Sequence, residues 1–343
     1  MNIEAFFDLI RSGDNSNAGI AWQIARGIRD DGDKDFEAFV KAVYGWALSD
    51  IPKQTPANFL QSLAGGQLTC QILRKEQIPA ASASLAPLVA MLHIRNIQTE
   101  NFPKGLELFG ELTELDCKTQ TVARLGNELK GLPKLNSLKI TTNKSFELLP
   151  EFVDCKQLTK LQLRSKTSIK LPDNFPMMSN LQHLELSCAR VEGPIWRCSQ
   201  LKSIRLAMFG DEGGKNAESL FAETANLENI EFLYLSITNV HSFQKFLDES
   251  ISKMTALKVL DIYMYYSGTY SGGKLTAKIQ HLVNLEELYI DTVIIAEIEF
   301  VAKLPKLQKF EIFSISEKDF LAVKAKMQAL GSKAEVLMSE LPF

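Results

Sequence analysis

One pattern constrains this chain more than anything else in it: LxxLxL recurs every 23 residues from Val89 to Leu181. The anchors are Val89-Leu92-Ile94, Leu112-Leu115-Cys117, Leu135-Leu138-Ile140, Leu158-Leu161-Leu163 and Leu181-Leu184-Leu186. Five further copies follow at looser steps of 20 to 30 residues, beginning at Leu201, Leu227, Leu257, Leu285 and Leu307. A repeat of this length cannot bury its own apolar face, so neighbouring copies must stack. The spacing therefore predicts a solenoid of about ten parallel strands on a concave face, with Leu138, Leu161 and Leu184 in one buried column. Such a stack presents a broad sheet and no enclosed pocket, which suits binding another macromolecule.

At 343 residues the chain is long for one compact core, but a solenoid grows by adding repeats. With 38 basic and 41 acidic residues the net charge is −3, which offers no global attraction for nucleic acid. The start, MNIEAFFDLIRSGD, has no basic region and carries Glu4 and Asp8 among its apolar residues, unlike a secretory signal. No stretch reaches the roughly 18 uncharged apolar residues of a membrane span. Five cysteines with no CxxC pair argue against a disulfide framework or zinc site, so a reduced, cytoplasmic setting is expected.

Residues 1 to 80 follow a helical period instead. Ile3, Phe6, Phe7 and Ile10 form one stripe, Ile20, Ile24 and Ile28 a second, and Phe36, Phe39, Val40, Val43 and Tyr44 a third. Pro56 opens a fourth helix closed by Gly65-Gly66, and a weaker helical pattern covers Gln67 to Gln77. We read residues 1–80 as a helical N-terminal cap or adjunct domain, 81–315 as the solenoid and 316–343 as a C-terminal cap. The plain role for the N-terminal bundle is covering a bare terminal repeat; the sharper one is a separate docking domain.

Within the early units Pro103, Pro150 and Pro172, with Gly126 in the equivalent place, mark the turn onto the far side, and Phe102, Leu149 and Leu171 before the prolines can plug the core. Later units are long enough for true helices: Phe243, Phe246, Leu247, Ile251 and Met254 form one stripe, Leu275, Ile279 and Leu282 another. Ser316-Glu317-Lys318-Asp319 caps a last helix with Phe320, Val323, Met327 and Leu330 inward and Gly331 closing it.

Residues 85 to 315 resemble a leucine-rich repeat protein, through segments such as LPKLNSLKI, NLEELYI and LPKLQKFEI. The LP-punctuated 23-residue units with a helical N-terminal region are similar to intracellular bacterial members of that family. The resemblance implies a curved solenoid that binds proteins or peptides, sometimes lipids or nucleic acids. One departure stands out: the asparagine that such proteins place eight residues after the first anchor occurs here only as Asn143. Its loss predicts irregular curvature.

No catalytic signature emerges. Gly268 to Lys274 matches the GxxxxGK of a phosphate-cradling loop, but Leu275 stands where a magnesium-binding hydroxyl is needed. Glycine and serine also serve simply to build a long turn. His93, His183, His241 and His281 never pair at metal-ligand spacing, and no nucleophile elbow or HExxH is present. No cofactor and no metal are expected.

The informative surface is the outward face of the strands. In the first six repeats Arg95, Lys118, Lys139, Lys160, Arg164, Lys202 and Arg205 stand against Glu114, Asp116 and Glu185, a balance of +4. In the last four, Glu228, Glu231, Asp261, Glu286, Glu287, Asp291 and Glu311 stand against Lys258 and Lys309, a balance of −5. The acidic half also carries Tyr234, Tyr263, Tyr289 and Phe313, and strands ~4.8 Å apart would merge these into one patch. Aromatic residues beside charges make interface hot spots, although a solenoid surface free to vary would also show some asymmetry.

We therefore expect a non-enzymatic, monomeric module binding a protein or peptide partner, not nucleic acid or membrane. The primary site is Tyr234, Tyr263, Tyr289 and Phe313 with Glu231, Asp261, Asp291 and Glu311; a secondary basic patch is Arg95, Lys139, Lys160, Arg164 and Arg205. Alternatives are a nucleotide-dependent switch using Gly268–Lys274, a scaffold whose N-terminal bundle does the binding, and a carbohydrate or peptidoglycan sensor using the tyrosine-rich strands.

Overall fold

The computed structural model describes residues 65–70, 78, 86, 89–209, 228–237, 244, 246–247, 249–264, 274–291, 295–313 and 315–339, with Leu9 and Ile20 as isolated positions. The helical stripes expected within residues 1–64, and the loop Gly268–Gly273, lie outside them. The chain divides into two compact units, Met1–Lys160 and Leu161–Phe343.

In the first unit the principal strands are β1 (Gln67–Cys70), β2 (Met91–Ile97), β3 (Glu114–Thr119) and β5 (Ser137–Thr142), parallel and in that order. A second short parallel pair, β4 (Arg124–Leu125) with β6 (Phe146–Leu148), forms where the chain turns back. The repeat length sets this geometry. Successive amides Thr113 and Glu114 both donate to the Ala90 carbonyl, Asn136 and Ser137 to Thr113, and Thr159 and Lys160 to Asn136. Each rung is thus pinned to the one before it at the strand entry. Alternation does the rest: Leu115, Cys117 and Thr119 are buried while Glu114 and Lys118 face water.

The second unit continues the scheme. Its principal sheet comprises β7 (Lys160–Ser165, its first residue ending the first unit), β9 (His183–Cys188), β11 (Ser203–Met208), β12 (Phe232–Ile237), β13 (Val259–Met264), β15 (Glu287–Asp291), β17 (Lys309–Phe313) and β18 (Glu335–Ser339). Its described pairings are parallel, and chain order is sheet order. Minor pairs join β8 (Ser168–Lys170) to β10 (Arg190–Glu192) and β14 (Lys274–Leu275) to β16 (Ile295–Ala296). Ile204, Leu233, Leu260, Leu288 and Phe310 stand in register on successive strands, all buried. Leu138, Leu161 and Leu184, expected in the core, are each buried in their own unit.

The return path is mostly tight 3-10 helix: Leu106–Leu108 and Pro150–Asp154 in the first unit, and Phe175–Met177, Ile195–Arg197, Ile251–Lys253 and Ala277–His281 in the second. Pro150 opens its turn where no amide is required, and Phe152 plugs the core, while Leu149 is only half-buried. Each turn ends on an apolar residue three before the next anchor: Phe109, Cys155, Met178, Cys198, Met254 and Leu282. Each donates its amide back to the carbonyl three residues earlier. Cys155 and Cys198 are therefore core residues, and burial pushes both thiols up to about 12.

Four expectations need correction. Gln67–Cys70 is strand β1, not helix, because the Gly66 carbonyl accepts from Ala90 and Met91 and ties the segment to β2. Of the Leu275, Ile279 and Leu282 stripe only Ile279 lies on a helix, the five-residue 3-10 turn Ala277–His281; Leu275 ends strand β14 and Leu282 follows the turn. Of true helices, α1 (Ile298–Val301) and α2 (Glu317–Ala329) are described. In α2 Ser316 caps as expected, accepting from Asp319 N at 3.1 Å, and Met327 is buried, but Leu330 is exposed. After it Glu335–Ser339 returns as strand β18 beside β17.

The missing asparagine has a substitute one position earlier. Thr119 Oγ1 accepts from Thr121 N at 3.2 Å and Val122 N at 3.0 Å and donates to the Ile97 carbonyl. Thr142 accepts from Lys144 N and Ser165 from Thr167 N, and Cys188 Sγ donates to the Arg190 carbonyl. These four sit 23 residues apart and are buried, so the turn is satisfied by short hydroxyls and a thiol. Gly193 is the strained point of the second unit, with φ of 124° and Leu171 Cβ only 2.7 Å from where a Cβ would stand. Gly193→Ala is expected to lower stability by about 1–3 kcal/mol, read as a lower urea midpoint.

Candidate functional site

The outward residues of β11 to β17 form rows set by strand register. Arg205, Tyr234, Asp261, Tyr289 and Glu311 make one row across five strands; Tyr263 and Phe313 lie two residues further along theirs. The rings meet diagonally: Tyr234 and Tyr263 centroids are 5.5 Å apart, and Tyr263 and Phe313 are 5.0 Å apart. Both pairs are tilted, the arrangement ring quadrupoles favour. Phe313 spans to Tyr263 over the intervening strand because Asp291 at that level is short and itself buried. Cations frame the rings. The Arg205 guanidinium lies 4.8 Å from the Tyr234 centroid and 4.9 Å from that of Phe232, and Lys309 Nζ lies 4.8 Å over Tyr289.

The structure places the eight residues of the primary site on this one face but not all at its surface. Tyr234, Tyr263 and Tyr289 are half-buried, with rings partly open to solvent. Phe313, Asp291 and Glu311 are buried. Most carboxylates are also already occupied. Glu231 pairs with Lys258 at 2.7 Å, Glu311 accepts from Lys309 at 2.6 Å and from Ser339, and Glu287 accepts from the Tyr289 hydroxyl. Burial alone would raise the Glu311 carboxyl, but Lys309 and Ser339 outweigh it and leave it below its usual range. Lys258 and Lys309, already counted in the charge balance along the sequence, are thus taken up by Glu231 and Glu311, and the acidic excess of this half stays on the remaining carboxylates.

The secondary basic residues divide between the two units. In the first, Lys139 pairs with Asp116 at 3.1 Å, and Arg95 and Lys160 are exposed. In the second, Arg164 grips Glu185 at 2.7 Å while Gln162 donates to the other carboxylate oxygen. The His93 imidazole, 3.8 Å away, and the Lys139 ammonium hold Asp116 down to about 2 against the effect of burial. A depressed carboxyl stabilises the fold above its unfolded value near 4 and loses that contribution as pH falls towards 2. Part of Asp116 faces solvent, so screening leaves about 1 kcal/mol. Lys139→Met should therefore flatten the acid limb of a urea-midpoint profile between pH 4 and 2, roughly its unfolded and folded values.

One carboxylate in the aromatic field differs. Asp261 Oδ1 is buried with no hydrogen-bond partner. Burial pushes this group up to about 6, with the Tyr263 hydroxyl and Arg205 opposing and Glu311 adding to the rise. Burial and Asp261 together raise the Tyr263 phenol. Among the described residues no cluster of three His, Cys, Asp or Glu side chains could hold a metal, and no helix is long and apolar enough to cross a membrane.

Comparison with known proteins finds similarity in structure alone. No protein-family model matches the chain, and no curated protein matches it in sequence. Solved structures do. A leucine-rich repeat protein of Leptospira interrogans is 16% identical over 84% of this chain and 94% of that chain, with a TM-score of 0.35. The leucine-rich repeat domain of the type III effector XopL is 15% identical over 97% and 95%, with a TM-score of 0.30. TLR13, solved in complex with ssRNA13, is 14% identical over 81% of this chain and 48% of that one, with a TM-score of 0.45.

Proposed function

We propose that this chain is a non-enzymatic protein-binding module that docks a polypeptide on the aromatic face of the second unit. The carrying observation is the continuous run of rings from Tyr234 through Tyr263 to Phe313, with spacings of 5.5 and 5.0 Å, bordered by Tyr289. Strand backbone fixes those rings, so little side-chain entropy is lost when a partner covers them. Tyrosine also leaves a hydroxyl at the rim of an apolar contact, which suits a surface that is wet when free and covered when bound. Because the strands present a face rather than a cavity, an extended peptide or an exposed segment of a folded protein fits better than a small molecule.

Arg205 and Lys309, stacked on the rings, hold them in place and do not compete for the patch as free charges. The test is selection of a displayed nine-residue peptide library against the immobilised full chain. Enriched peptides should be lost when Tyr263 and Tyr289 are both replaced by alanine, and retained when Lys139 and Arg164 are. The reverse result places the interface on the basic residues instead.

A further inference from the structure

Resting on the protein-binding reading, we infer that Asp261, with the Tyr234, Tyr263 and Tyr289 rings around it, receives a cationic side chain of the partner, a lysine ammonium or an arginine guanidinium. Register sets Asp261 level with Tyr234 on β12 and Tyr289 on β15, so a tyrosine stands on each side of it. Tyr263, two residues on, closes the patch by its contacts with Tyr234 and Phe313. The carboxylate is half-buried at the centre of this group: its Oδ1 is closed to solvent without a donor, the Tyr263 hydroxyl supports the group, and no cation among the described residues is ion-paired with its partly open edge.

Two neighbouring carboxylates hold a cation, which Asp261, with only the Tyr263 hydroxyl, lacks: Glu231 has Lys258, and Glu311 has Lys309 with Ser339. Asp116 Oδ1 on the first unit is likewise without a donor, but its other oxygen already holds Lys139. Arg205 attracts Asp261 from the side, yet its guanidinium is laid against Phe232 and Tyr234 rather than aimed at the free oxygen.

The chemistry selects a cation. A neutral hydroxyl would satisfy one lone pair and leave a poorly solvated negative charge in place. An ammonium or guanidinium supplies N–H donors and the opposing charge, and the Tyr263 ring, which unlike Tyr234 and Tyr289 carries no cation among the described residues, favours that same charge. Desolvating the pair under a bound peptide strengthens it further.

This arrangement also links binding to pH. The groups facing Asp261 are Arg205 on β11, Tyr234 on β12, Tyr263 on its own strand, Tyr289 on β15 and Glu311 on β17. With its carboxyl at about 6, Asp261 is charged at pH 7.5 and mostly neutral at pH 5. The sign for the free fold follows: the raised value gives stability that is full below about 4 and lost as pH rises through about 6. Asp261→Asn should therefore raise the urea midpoint at pH 7.5 while weakening cation binding.

The same peptide library supplies the probe. Wild-type full chain should enrich peptides with lysine or arginine at one fixed position, and norleucine there should weaken the strongest peptide at least tenfold. In Asp261→Asn that substitution should make no difference. For the wild type the dissociation constant should rise about tenfold between pH 7.5 and 5, following the neutralisation of one carboxyl, and for Asp261→Asn it should stay level. Enriched peptides without a fixed basic residue, a norleucine effect that persists in Asp261→Asn, or a flat wild-type profile overturns the inference. If those same peptides are still lost on Tyr263→Ala with Tyr289→Ala, the protein-binding reading stands without it. If no enriched peptide depends on the tyrosines, both fall.

Discussion

Replacing Leu260 by alanine should cost about 2–5 kcal/mol, because a buried leucine is lost and its neighbours cannot close the gap. Leu260 is fully buried on β13, with Leu233 on β12 and Leu288 on β15 level with it and equally buried. Those neighbours are tied into rungs by backbone bonds from Lys258 and Val259 to the Glu231 carbonyl and from Glu286 and Glu287 to that of Lys258. A rung held at both edges cannot slide inwards by the width of a methyl group, so the cavity persists. In a stacked protein the loss spreads along nearest-neighbour contacts rather than through one global core. Hydrogen exchange should accordingly accelerate most in β12, β13 and β15, alongside a lower urea midpoint. Leu321→Ala is the matched control. That side chain is 56% exposed on α2, and its loss should change stability by less than about 0.5 kcal/mol. Equal effects at the two sites would mean that the leucine column is not what holds the unit together.

The leucine spacing made that column legible, because an anchor every 23 residues leaves parallel stacking as the one way to bury every Leu. Strands β1 and β18 escaped notice for the opposite reason. Gln67–Cys70 and Glu335–Ser339 carry no full LxxLxL, and only pairing with a complete rung makes them strands. The turn hydroxyls were in plain view, since Thr119, Thr142, Ser165 and Cys188 keep the 23-residue step. They sit one residue before the asparagine position of related repeats and so fall outside that pattern.

Charge taught a different lesson. Summed along each half of the chain, the outward residues give opposing net charges, yet a residue's neighbour on this face is the one a whole repeat away. Asp116 meets Lys139, Arg164 meets Glu185 and Glu231 meets Lys258, and each pair is visible only when rungs are laid side by side. Exposed pairs of this kind add little stability, and since both members are already counted in each sum, the opposing net charges of the two halves remain. What remains for recognition on the second unit is the ring surface, the acidic excess around it and the Asp261 carboxylate.

That surface sets the last expected result. Replacing Tyr263 and Tyr289 together by alanine should weaken peptide capture by at least about 2 kcal/mol, roughly thirtyfold in dissociation constant. Tyr263 touches Tyr234 on one side and Phe313 on the other, so its removal breaks the ring surface at its middle. Tyr289 brings the Lys309 cation over its face and donates to Glu287, and truncating it frees both charges to be hydrated. Neither ring is part of the leucine column, so the double variant should keep its strand content, with only a modest shift in urea midpoint. The loss should appear mainly as faster dissociation, since the rings act after contact while the acidic excess around them steers approach. Raising salt should slow association alike in the wild type and the double variant. A strong salt dependence of the association rate, with dissociation unchanged in the double variant, would mean that charge and not the tyrosine surface governs recognition.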